Sequence, residues 1–236
     1  MIFNTVPKDW KDLQNCVGQM FRECGFETEV SKVVDLVRGK KEIDVYAKDA
    51  SSAYQPIFLV ECKFWNKPVD QETIHSFRTV VSDFGANTGF IVSKNGFQKG
   101  ALNAVVNTNI QLVSLDGLCD MYYSRWRHSM YKKYLPYADT LFPYWDDFGK
   151  KAADGNPISY TVKQIVYDAY QPICSLGPLD QLKGGFSRVY PMVIPEIDDN
   201  LEIIGEKIIS NDREYFNFCE QNKEKAIKHF KILFRE

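Results

Sequence analysis

The chain has 236 residues, 44% of them apolar, which suits one large domain or a domain with a substantial extension. Its formal net charge of −2 excludes a globally basic nucleic-acid binder, and neither half rescues one: residues 1–120 hold 13 Lys/Arg against 15 Asp/Glu, residues 121–236 hold 16 of each. Any affinity for a polyanion must come from local placement of cations.

Trp10, Leu13, Val17, Met20, Phe21 and Cys24 follow the helical period, and Gly25 ends that helix. Phe26–Val34 and Ile43–Ala47 are strand candidates separated by a basic turn, Arg38–Gly39–Lys40–Lys41. The apolar run Ile57–Phe58–Leu59–Val60 reads as a central strand buried on both faces, and it leads straight into Glu61–Cys62–Lys63. Ile74, Phe77, Val81 and Phe84 mark a second amphipathic helix. Gly89–Val92 is another buried strand, Phe97, Ala101, Ala104 and Val105 give a third helix, and Ile110–Val113 is a last strand before a turn at Asp116–Gly117. Strands interleaved with short helices imply an α/β fold with a mixed sheet covered on both faces.

Past residue 120 the character changes. Tyr122, Tyr123, Arg125, Trp126, Arg127, His128, Tyr131, Lys132, Lys133 and Tyr134 crowd aromatic and basic side chains together. That run can stack on bases and neutralise phosphates, or it can be an amphipathic helix joining two parts of the chain. A helix is expected around Val162–Ala169, then a loop-rich stretch punctuated by Pro172, Gly177–Pro178 and Gly184–Gly185. A final helix carries Phe216, Cys219, Ala226, Ile227, Phe230 and Leu233 on one stripe, with Asn211 and Glu214 as a capping box. The expected division is residues 1–120 and a mostly helical region 121–236 of unknown role.

Six scattered cysteines, without C-x-x-C or a cysteine–histidine cluster, argue against a zinc site and a disulfide framework. His128 and His229 have no metal-like spacing. The start of the sequence lacks a secretory pattern, and no apolar run approaches membrane-spanning length. A cytoplasmic protein with reduced thiols and no membrane association is expected.

Glu61 and Lys63, two apart on a strand, share a face at its end, and Asp44 lies upstream in Glu42–Ile43–Asp44–Val45–Tyr46. Two carboxylates and a lysine at one point are the minimum that holds a divalent cation beside a water molecule. The acid-x-Lys pattern alone is weak, since Asp9–Trp10–Lys11 repeats it at a helix start as a cap and surface charge. Glu61 and Lys63 can equally form a plain ion pair at a strand end, with Asp44 solvated.

The order of elements and Asp44…Glu61–Cys62–Lys63 resemble the PD-(D/E)xK nuclease superfamily, in its Mrr-like restriction endonuclease branch. Leu59–Val60–Glu61–Cys62–Lys63–Phe64–Trp65 with Pro68–Val69 is similar to the family's core strand and exit. Gly85–Ser93 with Phe97 and Ala101, then Ile110–Val113 with Asp116, Gly117 and Leu118, resemble the family's next segments. The likeness covers roughly residues 8–120 and leaves 121–236 unplaced.

That resemblance implies a restriction-endonuclease-like mixed sheet and a Mg²⁺-dependent (or Mn²⁺-dependent) DNA endonuclease of restriction or anti-phage type. It implies Asp44, Glu61 and Lys63 as catalytic residues, and Asp44, Glu61 and the Cys62 carbonyl as metal ligands. It further implies cleavage to a 5′-phosphate and a 3′-hydroxyl. Two positions depart from the pattern. Members often carry a glutamate in the first helix where Gln14 stands here, and RecB-like relatives place Gln and Tyr where this helix offers Gln71 and His75, in line with Arg78. Gln71, Lys94 and Lys99 are candidates to contact DNA, with surface solvation as the plain alternative. A catalytically silent scaffold of the same fold, binding nucleic acid or a protein partner, is the second reading. Residues 121–236 are then a place for a partner protein, a homodimer contact or a gating module.

Overall fold

A computed structural model describes residues 2–37, 39–146, 160–176 and 188–236. Arg38 of the expected turn, and Gly177–Pro178 and Gly184–Gly185, lie outside the described residues. Contacts divide the chain into two units, one ending at Trp126 and one beginning at Arg127.

The first unit opens with α1 (Trp10–Glu23), capped by the Asp9 side chain, which accepts from Asp12 N–H. It continues with β1 (Glu27–Leu36), β2 (Gly39–Lys48), β3 (Ile57–Lys63), α2 (Gln71–Phe84), β4 (Thr88–Ser93), α3 (Lys99–Ala104) and β5 (Ile110–Val113). The strands form one mixed sheet in sequence order: β1–β2 and β2–β3 are antiparallel, β3–β4 and β4–β5 parallel. Antiparallel neighbours need only short connections, a tight turn between β1 and β2 and a loop over residues 49–56 between β2 and β3, whereas the parallel pairs require the crossovers α2 and α3.

Alternation along β3 and β4 sorts the two faces. Leu59 and Ile91 join Ile74, Phe77 and Val81 of α2 in one core. Phe58 and Phe90 face the other way, against Phe21 of α1, at ring separations of 6.4 Å each, and Tyr122 closes that cluster. Gly89 makes the close seat of α2 possible. A Cβ there would lie 2.7 Å from Ile110 Cδ1 and Val81 Cγ2 and 2.8 Å from Phe77 Cε1. Gly18 does the same for α1, where an added Cβ would meet Val30 Cγ2 at 2.5 Å.

Several expectations shift at their edges. Lys40 and Lys41 belong to β2, because Leu36 already pairs with Gly39. Asp116 and Gly117 open α4 (Leu115–Trp145) and do not form a turn. Trp10, placed by periodicity on the buried stripe, is 58% exposed, while Gln14 is buried.

The second unit contains the remainder of α4, α5 (Tyr160–Cys174), the antiparallel hairpin β6 (Met192–Ile197) and β7 (Ile203–Ile209), and α6 (Asp212–Phe234). The hairpin is an addition to the mostly helical expectation. Trp126, closing the first unit, and Tyr131 and Tyr134 in the second are buried. Tyr134 stacks on Phe216 and donates to Glu220 Oε2 at 2.6 Å. Arg125 is bound bidentately by Asp49, and Arg127 and Lys133 pair with Asp212 and Glu220. Much of the aromatic and basic run is therefore packing and ion pairing, as an amphipathic helix requires.

Gly89→Ala is expected to destabilise the protein by about 1–3 kcal/mol, the usual result of forcing a methyl into a filled core. A lower urea midpoint with an unchanged slope would show it; an unchanged midpoint would mean α2 does not seat as described.

Candidate active site

The central feature is a gap in the hydrogen-bond ladder. β1 and β2 pair at Val30↔Val45 and again at Lys32↔Ile43, with no pairing between Ser31 and Asp44. Ser31 has φ +57°, a conformation a non-glycine residue rarely adopts. The β2–β3 pairing runs from Lys48↔Ile57 to Val45↔Val60 and stops there. Asp44 is the next residue of β2, opposite Glu61 by continuation of that register.

Asp44 fills the opening with its own carboxylate. Its Oδ2 accepts from Cys62 N–H at 2.7 Å, replacing the β2 carbonyl that a longer ladder would have supplied. Its Oδ1 accepts from Gln14 Nε2 at 2.6 Å. The amide of Gln14 is oriented in turn by Lys11, whose Nζ donates to Gln14 Oε1 at 3.2 Å and to Ser31 Oγ at 2.8 Å. Burial, and next the charge of Glu61, hold the Asp44 carboxyl above the ordinary aspartate range; the Cys62 and Gln14 bonds and the Lys63 charge only partly offset this.

Glu61 and Lys63 project together, with Lys63 Nζ 2.6 Å from Glu61 Oε1 and both side chains less than one-fifth exposed. Nζ also lies 4.9 Å from the centre of the Trp65 ring. Trp65 is held where its carbonyl accepts from Asn95 Nδ2 at 2.6 Å. The ammonium is thus fixed between a carboxylate and an aromatic face. Beside it opens a cleft of about 290 Å³, lined by Lys41, Glu61, Lys63, Asp70, Thr73 and Ser76 among others. Asp70 caps α2 by accepting from Thr73 N–H and Oγ1–H.

The structure brings Asp44, Glu61, Cys62 and Lys63 together. It sets Gln71 aside: that side chain bonds His75 at 3.0 Å and sits against Gly100, while the α2 face on the cleft is Asp70, Thr73 and Ser76. Lys99 is an exposed first residue of α3, and Lys94 has its Nζ 4.1 Å from the Phe64 ring centre. Lys11 and Ser31 are contacts that the sequence reading did not assign to the site, and Trp65 stood there only as part of the strand exit. Lys11 carried a signal only as half of a second acid-x-Lys match, and Ser31 carried none.

The family model for the restriction endonuclease catalytic domain Mrr_cat matches residues 8–122. This stretch, just under half of the chain, is similar to that family. Among solved structures, the crystal structure of a protein of unknown function, AF1548, is similar at 21% identity and a TM-score of 0.40. That match covers 48% of this chain and 66% of the other. No curated protein matches. Within the matched residues the Asp44–Glu61 pair stands at the ladder gap, and no helix among the described residues is long and apolar enough to cross a membrane.

A carboxyl whose folded pKa is raised binds its proton more tightly in the native state, so its ionisation opposes folding. The penalty is absent below the unfolded pKa, near 4, grows as pH rises through the folded value and is complete above it. Asp44→Asn offers one acceptor where Asp44 offers two, which costs stability at every pH. Relative to that variant, the wild type without divalent ions should lose stability as pH rises from about 4. Melting curves across pH 4–8 test this; a difference between the two proteins that does not move with pH would contradict it.

Proposed function

We propose that the chain is a divalent-metal-dependent endonuclease that hydrolyses DNA phosphodiester bonds, with Asp44, Glu61 and Lys63 as its catalytic residues. The observation that carries this is the pairing of a proton-hungry, half-buried Asp44 with Glu61 beside the Lys63 ammonium. Two crowded acids and one lysine keep a residual negative charge, which a divalent cation would neutralise. The donors suit a hard ion: carboxylate oxygens of Asp44 and Glu61, with the Cys62 carbonyl as the third protein ligand by family likeness. Among the described residues no group of three or more His, Cys, Asp or Glu side chains forms a ready cage. A site completed by main-chain oxygen and water is in keeping with that. Mg²⁺ is the expected ion, with Mn²⁺ an alternative.

When bound, the ion would supply Lewis acidity, polarising a phosphoryl oxygen and acidifying a coordinated water. The residues do the rest. Asp44 and Glu61 anchor the charge, and Gln14 and the Cys62 N–H keep Asp44 from rotating. Lys63, oriented by Glu61 and Trp65, holds the attacking water and offsets charge growing on the phosphoryl oxygens. Products with a 5′-phosphate and a 3′-hydroxyl are inferred from the family likeness, as is a role in restriction or anti-phage defence. The six cysteines are thiols and not disulfide-bonded, in keeping with a reducing, cytoplasmic setting.

One observation favours the second reading, a catalytically silent scaffold. Both Asp44 oxygens already accept hydrogen bonds, and Gln14 points its amide nitrogen, a donor, at the site.

Plasmid incubated with the protein and Mg²⁺ or Mn²⁺ should be cut, and Asp44→Ala and Lys63→Ala should each lower the rate by about 10²–10³-fold. Equal cleavage by wild type and Asp44→Ala would remove the assigned site. Gln14→Glu separates the two readings. In a working nuclease it should tighten Mn²⁺ binding, seen as a larger Mn²⁺-induced rise in melting temperature. In a silent scaffold, wild-type melting should not respond to Mn²⁺ at all.

A further inference from the structure

On the other side of the strand ends lies a second cavity, of about 510 Å³, within the first unit. Its walls come from the C-terminal ends of the three parallel strands and the residues just past them: Phe64 after β3, Ser93 and Lys94 at β4, and Leu115 after β5. Ligands in open α/β sheets bind in this crevice. Residues 2–7 and Leu13 close one side, and α4 contributes Asp116, Cys119, Asp120 and Tyr123, a stripe at helical spacing. Lys63 lines the cleft described above and Phe64 lines this cavity, so consecutive residues of one strand end serve both.

The lining is chemically two-sided. Phe64 and Tyr123 put aromatic side chains on the wall, although Tyr123 already stacks on Trp126 and the Lys94 ammonium lies over the Phe64 ring. Asp116 and Asp120 are acceptors only, whereas the Lys94 ammonium is a donor only. A planar ligand with N–H donors on one edge and acceptors on another would match these groups, within a lining that is otherwise mostly apolar. Guanine has that pattern: adjacent N1–H and N2–H donors match a carboxylate, and O6 with N7 matches a lysine. Thymine and uracil flank their single N–H with carbonyls, which carboxylates would repel. The volume lies within the range of ordinary small-ligand sites.

We propose that this cavity is a nucleobase pocket matched to guanine. It rests on the nuclease reading only for one source of the base, a nucleotide turned out of a strand whose phosphates run toward Lys63. A free guanine nucleotide presents the same chemistry.

The test measures binding by the full chain in EDTA, so that cleavage plays no part. Short thymidine strands with one central guanine or hypoxanthine form the first arm, and GMP and IMP the second; each pair differs only in the 2-amino group. Guanine should bind about tenfold more tightly than hypoxanthine, and Asp116→Asn with Asp120→Asn should erase the difference. Tyr123→Ala should weaken guanine binding about tenfold, with Tyr123→Phe restoring it and melting curves showing that each variant folds. A preference in both arms supports the pocket for a nucleotide from either source; a preference in strands alone supports it for a base within a strand. Equal binding of guanine and hypoxanthine in both arms, or a preference that survives the paired Asn variant, overturns the proposal. A protein that shows the preference yet cuts nothing in Mg²⁺ or Mn²⁺ keeps the pocket and loses the nuclease reading.

Discussion

The missing rung between Ser31 and Asp44 is the constraint on which the site depends. A β-ladder satisfies main-chain donors by placing another strand alongside, and an unpaired buried N–H is costly. Here β2 stops pairing with β3 at Val45, leaving Cys62 N–H to be satisfied by the Asp44 carboxylate at 2.7 Å. One side chain thereby completes the sheet and delivers an acid beside Glu61. Had the ladder continued, Asp44 would have been an ordinary strand residue on a solvated face.

This arrangement sets stability against chemistry. Asp44 is held above the usual aspartate range chiefly by burial and then by Glu61, so the charged form that would bind a cation is the form the fold resists. The same molecule uses an aspartate in the opposite sense. Asp49 is bound bidentately by Arg125, and that bonding keeps its carboxyl well below the usual range. Arg125 also donates to the Cys24 carbonyl and stacks on Phe26, tying the start of α4 to the sheet. Asp49 therefore adds stability that is present above the ordinary aspartate pKa and lost in acid, while Asp44 withdraws it over the neutral range.

The sheet was legible wherever burial wrote a pattern. Ile57–Val60 and Gly89–Val92 are apolar on both faces and became β3 and β4, and Asp44, Glu61 and Lys63 could be nominated because they interrupt or end such runs. The hairpin was illegible for the complementary reason. Val193, Ile203, Ile204 and Ile208 are all more than half exposed, so β6 and β7 carry apolar residues outward and show no clean alternation. Lys11 was hidden differently. Its first partner is three residues away and its second twenty, and only the placement of α1 over the Ser31 distortion joins them. Spacing along a chain reports faces of single elements; it does not report where a flexible four-carbon stem ends.

A net charge of −2 is compatible with work on a polyanion because the cations are distributed unevenly about the strand ends. Lys63 is neutralised by Glu61, yet Lys67 and Lys94 stand on the segments after β3 and β4, each within 6 Å of an aromatic ring centre, and Lys41 overlooks the cleft. The basic run after residue 121 is largely committed to Asp49, Asp212 and Glu220. The basic segment most conspicuous in the sequence is thus mostly spoken for, and the electrostatic footprint falls to isolated lysines near Trp65 and Phe64. Counterion release scales with the phosphates engaged. Few such lysines mean weak backbone attraction, so selection of substrate would fall to contacts with bases. On the proposed reading, such contacts would be made by the aromatic and acidic lining that begins one residue beyond Lys63.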